Sequence, residues 1–536
     1  MGFSPSRSQH AVGGFALGKI DTLSFDGYTD DKKATLGSGR MTRETPFEAW
    51  RQSLAQEQQS LLNEHFAQWN RRIGLSRPDR LLLCGDLEKA LLWYAENGVP
   101  LAEALQRLNP ENLGGFYIRP AVLWYSLDDA AKVYPLSMKH GQMAVFRLSI
   151  YLKEPVAPAL LQMALDFTIQ RFPCFATTVK KGFFWHYLDA TKRRYSVEPE
   201  HTPPVRPLSI AYSGSQSFRL MYWQNRISLE MFHILTDASG GLVFLKTLTA
   251  EYLRLRGVAY QPGEGVLDVH AAPGVQETEN AFLRADRPGK SSGLTDRAAL
   301  QLGGRLTYAR PCQIIQFEMD GEKLRQTARQ KGSTVTAHLL SLILLACRRA
   351  TDETSGDFSV QVPVDMRKYY PSPTLRNFSM YCGVRLPAAS IEPGEELLAE
   401  VSRQLTEKSA LEPMMEMVHS STRLVRSVRC IPLFVKAPVT RLIYGFLGDR
   451  VFTTTLSNLG AVRMPPELEE HIDHMDFVLG TSVTNRAGCG MITLNGKTVL
   501  SISKQTDDPS FEEALYRLLS ADGLTPQVKG SMLYEA

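Results

Sequence analysis

The segment from His233 to Gly241, His-Ile-Leu-Thr-Asp-Ala-Ser-Gly-Gly, most strongly limits what this chain can fold into. The run before it, 227–232, is typical of a strand, and residues 242–253 carry apolar side chains at helical spacing. The small residues between them predict a tight turn from strand to helix. This turn places an imidazole, which can accept a proton near neutral pH, four residues before a carboxylate that can hold the turn in shape.

Two interpretations of His233 follow from this pattern. A histidine at the end of a strand is often a core residue, and an aspartate after it is often only a helix cap. A general base, in contrast, must lie within reach of the proton that it removes, and its ring must be held in one tautomer. A histidine before a tight turn of small residues meets both needs, so the flanking strand and helix favour the catalytic interpretation.

The length and composition are those of a globular protein with more than one core. A chain of 536 residues predicts two or three lobes, and 43% hydrophobic with 22% charged residues is an ordinary globular balance. The net charge of +4 is too weak to indicate nucleic-acid binding. The seven cysteines lack any Cys-x-x-Cys spacing, so we expect a reducing compartment and no metal site. The N-terminus lacks the apolar run of a signal peptide, which favours a cytoplasmic location.

Composition and periodicity divide the chain into six segments. A mostly disordered N-terminus precedes a small helical extension whose role the residues do not indicate. Two longer segments then alternate strands with helices, and a linker rich in Gly and Pro joins them. A short tail ends the chain. In chain order the segments are 1–43, 44–120, 121–260, 261–310, 311–519 and 520–536.

The His233 turn resembles the active-site motif of the chloramphenicol-acetyltransferase-like superfamily of acyltransferases. That superfamily includes condensation domains, polyketide-associated acyltransferases, alcohol acetyltransferases and wax ester synthases, and its motif is His-His-x-x-x-Asp-Gly. In this chain Phe232 replaces the first histidine, and Ala238 stands where the motif has glycine, with Gly240 and Gly241 slightly later. The base and the aspartate of the motif are both present, as His233 and Asp237.

Three further segments agree with the resemblance in order and spacing. Residues 171–177, Arg-Phe-Pro-Cys-Phe-Ala-Thr, are similar to the Arg-His-x-x-Leu-Arg-Thr segment of condensation domains. Residues 362–367 resemble the strand end that precedes an active-site loop rich in Asn or Gly, and Asn377 follows in that region. Residues 456–460, Leu-Ser-Asn-Leu-Gly, resemble a segment that borders the tunnel in wax ester synthases. The resemblance covers roughly residues 121–519.

The resemblance implies an α/β fold of two lobes, each a mixed sheet with helices, with a tunnel between them, to which the N-terminal helical extension is added. His233 would lie at the centre of the tunnel and act as the general base. Asp237 would be structural and would pair with Arg171. Ser457 or Asn458 would border the tunnel and donate to the oxyanion of the tetrahedral intermediate.

The implied function is transfer of an acyl group, acetyl in the first instance, from a CoA thioester to an alcohol. Acyl-CoA would be a co-substrate, with no permanently bound cofactor, and the acceptor would be a small-molecule alcohol or amine. One alternative is a condensation-type enzyme that uses a carrier-bound donor and forms an amide or ester. Another is a catalytically silent relative that binds an acyl or lipid ligand. Acyl chain length and acceptor depend on tunnel shape, which residues far apart in the chain determine.

Residues 423–450 form a second unusual segment, with six basic side chains against one acidic one and with apolar residues between them. This pattern is compatible with a surface that contacts a membrane or a lipid substrate. An acyl carrier protein or the phosphates of CoA would also fit a basic surface. An ordinary solvated segment that bridges the lobes is the simplest alternative.

Overall fold

A computed structural model describes residues 45–118, 122–132, 134, 143–192, 194–208, 216–286, 297–307, 311–438, 449–480 and 485–534. The predicted disordered segment 1–43 lies outside these ranges. Within them the chain is an α/β protein with three sheets and two hydrophobic cores, and the predicted fold class is confirmed. No helix among these residues combines the length and apolar character needed to cross a bilayer.

The predicted helical extension consists of four helices that pack against the first lobe. A Thr45 capping box begins the first helix, and a turn at Asn97 and Gly98 separates the last two. The Tyr94 hydroxyl donates to the carbonyl of Leu255 at 2.7 Å, so the extension shares the first hydrophobic core instead of forming its own. The helices are α1 (Pro46–Ser53), α2 (Gln56–Arg72), α3 (Arg77–Glu96) and α4 (Leu101–Arg107).

The N-terminal lobe is built on a five-stranded sheet with two helices. Alternating apolar residues from 146 to 152 produce one of its strands, and a turn at Gln224 and Asn225 joins two others into a hairpin. A separate three-stranded sheet lies beside it in the order β1-β4-β3. The elements are β1 (Trp124–Ser126), β2 (Val145–Leu152), α5 (Pro158–Thr168), β3 (Thr178–Lys181), β4 (His186–Asp189), β5 (Val197–Pro199), β6 (Phe218–Trp223), β7 (Arg226–Phe232) and α6 (Ala238–Leu255).

The C-terminal half forms a seven-stranded sheet whose core is separate from the first. Asp320 and Thr334 cap its first two long helices through their side chains. The elements are α7 (Phe282–Ala285), β8 (Gln313–Asp320), α8 (Gly321–Gln330), α9 (Val335–Arg349), β9 (Asp357–Asp365), β10 (Ser379–Pro387), α10 (Glu395–Lys408), α11 (Leu411–Ser427), β11 (Thr454–Ala461), α12 (Pro466–Glu469), β12 (Ile472–Leu479), β13 (Ala487–Leu494), β14 (Lys497–Lys504), α13 (Ser510–Ala521) and β15 (Gln527–Gly530).

The second half of the chain contributes one strand to the sheet of the first half. The five-stranded sheet has the order β12-β2-β7-β6-β5, so β12 from the second half pairs antiparallel with β2 from the first. The seven-stranded sheet has the order β10-β9-β11-β13-β14-β8-β15. Its last strand, β15, comes from the predicted tail. Position along the chain therefore does not fully separate the lobes, and the six-segment division stays a prediction.

Candidate active site

His233 follows directly after β7, at the edge where the two halves of the chain meet. Its backbone N–H donates to the carbonyl of Ala144 at 2.8 Å, which continues the pairing of β7 with β2 by one residue. His233 is half-buried. It stacks on the ring of Tyr134, with centroids 4.7 Å apart, and meets the edge of Phe146 at 5.4 Å. The two rings fix the plane of the imidazole.

Asn377 determines which nitrogen of His233 carries the proton. Its amide nitrogen donates to the His233 carbonyl at 2.9 Å and to the Asp128 carboxylate at 3.3 Å, so its oxygen must face the imidazole. That oxygen lies 2.8 Å from Nδ1 of His233. An amide oxygen only accepts, and Nδ1 is therefore the donor. The other nitrogen, Nε2, keeps its lone pair and can accept a proton from a substrate.

Burial lowers the pKa of His233 below its usual value of 6.5. The negative charge of Asp237 and the hydrogen bond to Asn377 act in the opposite direction and are smaller. The ring is consequently neutral at pH 7, which is the protonation state that a general base requires.

Asp237 is a structural residue that connects the two halves of the chain. It is buried and caps α6, where its Oδ1 accepts from the N–H of Gly240 at 3.1 Å. Its Oδ2 accepts from Arg367 at 2.8 Å, from the N–H of Phe378 at 2.8 Å and from the Ser379 hydroxyl at 2.9 Å. The pKa of Asp237 lies below its usual value, because the Arg367 charge and these donors outweigh its burial.

The predicted ion pair between Arg171 and Asp237 is wrong. Arg171, in a 3-10 turn after α5, forms a bidentate pair with Glu277 and donates to the carbonyl of Asp268 at 3.2 Å. Both of these partners belong to the predicted linker, which thus closes over the end of α5. Arg367 occupies the place beside Asp237, because it lies in the 3-10 turn Met366–Lys368 that follows β9, where the second half approaches the His233 turn.

The glycine that the turn requires is Gly240. A Cβ at this position would lie 2.1 Å from the carbonyl oxygen of Leu375 and 2.2 Å from the Thr236 hydroxyl oxygen. Ala238, at the position where the related motif has glycine, is the first residue of α6 and is partly exposed. The alanine therefore does not prevent a tight turn here, since the close approach between the halves occurs two residues later.

Ser457 and Asn458 lie on β11, in the seven-stranded sheet. The amide nitrogen of Asn458 donates to the Thr336 hydroxyl at 3.0 Å, and its oxygen accepts from the N–H of Gly460 at 2.7 Å. Ser457 is buried. Within the part of the chain that the structure describes, no hydrogen bond joins either residue to His233, so their predicted contact with the oxyanion stays a prediction.

Sequence reasoning missed two buried groups behind the imidazole. Asp128 is fully buried and accepts from the N–H of Ala131 at 2.7 Å, and burial raises its pKa above the usual value. The guanidinium of Arg376 lies 3.4 Å from the Asp128 carboxylate and donates to the carbonyl of Ser126 at 2.7 Å. Arg376 could have been found from the sequence, because it is the neighbour of Asn377, which was already expected near the active site. No sequence pattern pointed to Asp128.

The described residues contain no group of three or more His, Cys, Asp or Glu side chains placed to hold a metal ion. The arrangement around His233 instead supplies one neutral imidazole with a free nitrogen, held in orientation by two rings and one amide. Such a group can move a proton at a substrate hydroxyl or amine.

Comparisons with known proteins establish the fold. No protein-family model matches this chain, and no curated protein matches its sequence. Polyketide synthase associated protein 5 from Mycobacterium tuberculosis superposes with a TM-score of 0.51 and 12% identity, covering 75% of this chain and 98% of that chain. The chain thus shares the fold of this polyketide synthase associated protein, and the predicted recognition is confirmed at the level of the fold alone.

Two other solved structures superpose on this chain with lower TM-scores. Trichothecene 15-O-acetyltransferase from Fusarium sporotrichioides gives a TM-score of 0.48 with 12% identity, over 75% of this chain and 98% of that chain. The first condensation domain of the calcium-dependent antibiotic synthetase gives 0.48 with 14% identity, over 77% and 100%.

Proposed function

We propose that this protein transfers an acyl group from a thioester to an alcohol, with His233 as the general base. The observation that carries the proposal is the contact between Asn377 and Nδ1 of His233, which leaves Nε2 with a free lone pair. Acyl-CoA, acetyl-CoA in the first instance, is the proposed donor and acts as a co-substrate. The resemblance of the His233 turn to an acyltransferase motif gives the reaction class.

In the proposed reaction, Nε2 of His233 removes the proton of the acceptor hydroxyl. The hydroxyl oxygen of the acceptor attacks the thioester carbonyl at the same time. The tetrahedral intermediate then collapses, the C–S bond breaks, and the imidazolium returns its proton to the departing thiolate. The products are an ester and a free thiol. Ser457 and Asn458 remain the proposed donors to the oxyanion. Asp237 and Arg367 act as positioning residues, because they hold the turn and do not contact Nε2.

The test follows free thiol release from acetyl-CoA with a panel of alcohols and amines. We expect His233→Ala to lower the rate by about two to four orders of magnitude. His270→Ala is the matched control, since His270 is exposed and lies in the linker. Thermal unfolding of both variants establishes that they are folded.

Equal thiol release by wild type and His233→Ala would contradict the proposal. If thiol release requires a carrier-bound acyl donor, His233 stays the proposed base, and an acyl carrier protein replaces CoA as the proposed donor. Tight acyl binding with no release by either protein would favour the silent relative.

A further inference from the structure

Large apolar side chains are exposed together at the small three-stranded sheet and at the chain after α11. Phe434 is 72% exposed, Phe183 65% and Leu123 62%. Residues of this size are rarely left this exposed in one region of a globular protein without a binding role. We define the apolar–basic patch as Leu123, Trp124, Phe183, Phe184, Arg423, Leu424, Arg426, Arg429, Ile431, Phe434 and Val435.

Direct contacts bring the segments that carry these side chains together. Phe183 and Phe184 lie at the tip of the β3–β4 hairpin, and the Phe183 carbonyl accepts from the N–H of Leu433 at 2.8 Å. Lys436 lies over the ring of Trp185, 3.1 Å from its centroid, which fixes the chain after α11 to the same hairpin. At the other edge, β1 pairs with β4 and carries Trp124.

The charge of the apolar–basic patch is positive. Arg423, Arg426 and Arg429 are exposed, and no acidic residue occurs between 423 and 436. Arg426 pairs with Asp286 at 2.9 Å and is still 55% exposed. Basic residues beside exposed aromatic and aliphatic side chains match an anionic phospholipid surface, which attracts the charges and accepts the apolar groups. Aromatic side chains are also favoured at the membrane–water interface.

The apolar–basic patch is linked to the segment that reaches His233. Lys132 lies over the ring of Trp185 at 5.7 Å, and Tyr134, two residues later, stacks on the His233 ring. The residue that ends β1, Ser126, accepts at its carbonyl from Arg376, the neighbour of Asn377.

We propose that the apolar–basic patch docks this protein on an anionic phospholipid membrane. A protein partner would need a surface of matching shape, whereas a bilayer accepts side chains that project from a hairpin, a strand and a helix. Docking does not depend on acyl transfer, so His233→Ala is expected to bind vesicles as wild type does.

The experiment is co-sedimentation with phosphatidylcholine vesicles prepared with and without phosphatidylglycerol. We expect binding only to the anionic vesicles and weaker binding at high salt. Arg423→Gln with Arg429→Gln should weaken binding by about tenfold or more, because each basic residue near anionic lipid contributes about fivefold. Phe183→Ser with Phe434→Ser should weaken it similarly. Met532→Ser is the matched control, because Met532 is 88% exposed and follows β15.

Cys430 provides a second readout at the apolar–basic patch. Cys430 is exposed, Cys84 is half-buried, and the other five cysteines are buried. In Cys84→Ser, an environment-sensitive thiol dye on Cys430 should shift its emission to the blue on anionic vesicles. Absence of vesicle binding by wild type, or equal binding by wild type and both double variants, would overturn the proposal. Binding to an acidic carrier protein without any binding to vesicles would overturn it in favour of a protein partner.

Discussion

Two buried clusters in this molecule join an arginine to carboxylates, and they differ in what they connect. In the first, Asp237 of the N-terminal lobe accepts from Arg367, Phe378 and Ser379, all from the second half of the chain. These contacts place the His233 turn against the segment that carries Asn377. The cluster therefore connects the two lobes and holds the turn of the proposed base, His233.

The second cluster takes its hydrogen-bonding residues from the first half of the chain. Arg147 on β2 is buried and forms a bidentate pair with Glu200 at 2.7 and 2.8 Å. It also donates to the Ser228 hydroxyl at 2.6 Å and lies 3.5 Å from Glu230 on β7. Phe146, its neighbour on β2, contacts His233, and alternate strand residues point to opposite faces. Arg147 thus points away from the active site.

The difference between the clusters is one of location and not of chemistry. Each contains a desolvated charge that is satisfied by opposite charge and by hydrogen bonds, and each should cost several kcal/mol to break from one side. The Asp237 cluster should affect both stability and rate. The Arg147 cluster should affect stability alone.

The largest effect is expected for Asp237→Ala, which leaves Arg367 without its buried partner and removes the cap of α6. The free energy of unfolding should fall by about 3–5 kcal/mol, with a lower soluble yield. Acyl transfer per folded molecule should fall as well, because the turn that carries His233 loses its anchor. Denaturant titration and thiol release measure the two effects. Normal folding with unchanged activity would remove the role given to Asp237.

For Arg147→Met, a loss of about 1.5–3 kcal/mol in the free energy of unfolding is expected, because Glu200 and Glu230 lose the charge and hydrogen bonds of Arg147 but keep Arg226 and Arg219 as partners. The rate per folded molecule should be unchanged. The same two measurements apply, at a temperature where the variant is folded. A stable Arg147→Met protein with a large loss of rate would show that the two clusters are coupled.

Asn377→Leu should lower kcat by about tenfold to a hundredfold, because Nδ1 of His233 loses the acceptor that sets the tautomer. KM should change little if Asn377 acts through the imidazole alone. Gln404→Leu is a control, because Gln404 is a buried amide that bonds to the backbone of Arg385 on β10. A raised KM with unchanged kcat would instead assign Asn377 to substrate binding.

Gly240→Ala should destabilise the protein by about 1–3 kcal/mol, because the added methyl group would displace the Leu375 backbone at the junction of the halves. Ala238→Gly is the matched change and should cost only about 0.5–1 kcal/mol, the usual loss for glycine in a helix. Thermal unfolding of the two variants measures the two losses of stability. A larger loss of stability for Ala238→Gly than for Gly240→Ala would contradict the assignment of the tight turn to Gly240.

The smallest expected effect is on the pH dependence of the rate. Because burial lowers the pKa of His233, kcat/KM should rise with pH, reach half its maximum below pH 6.5 and be flat above pH 7. Asp237→Asn should move the midpoint lower still, since the Asp237 charge raises this pKa. A midpoint above pH 7 in wild type would contradict the buried, neutral imidazole.

Local sequence patterns predicted much of the fold, including the strand and the helix on either side of the His233 turn. The alternation from 146 to 152 became β2, and the apolar periodicity after the turn became α6. Strand β12 was missed, because residues 469–474 are mostly charged and resemble a surface loop. In the structure, His474 of that strand stacks on Tyr151 at 4.1 Å, so its polar side chains are satisfied by a partner strand that is distant in sequence.

What the sequence determined by itself is the turn: a histidine after a strand and an aspartate that caps the following helix, in a pattern that resembles an acyltransferase motif. These features depend on neighbouring residues, where hydrogen bonding and helix periodicity act locally. The partner of Asp237 was decided only by the tertiary structure. Arg171 and Arg367 are both suitable cations, and the choice follows from the packing of β9 against the His233 turn, which places Arg367 at 2.8 Å and directs Arg171 to Glu277.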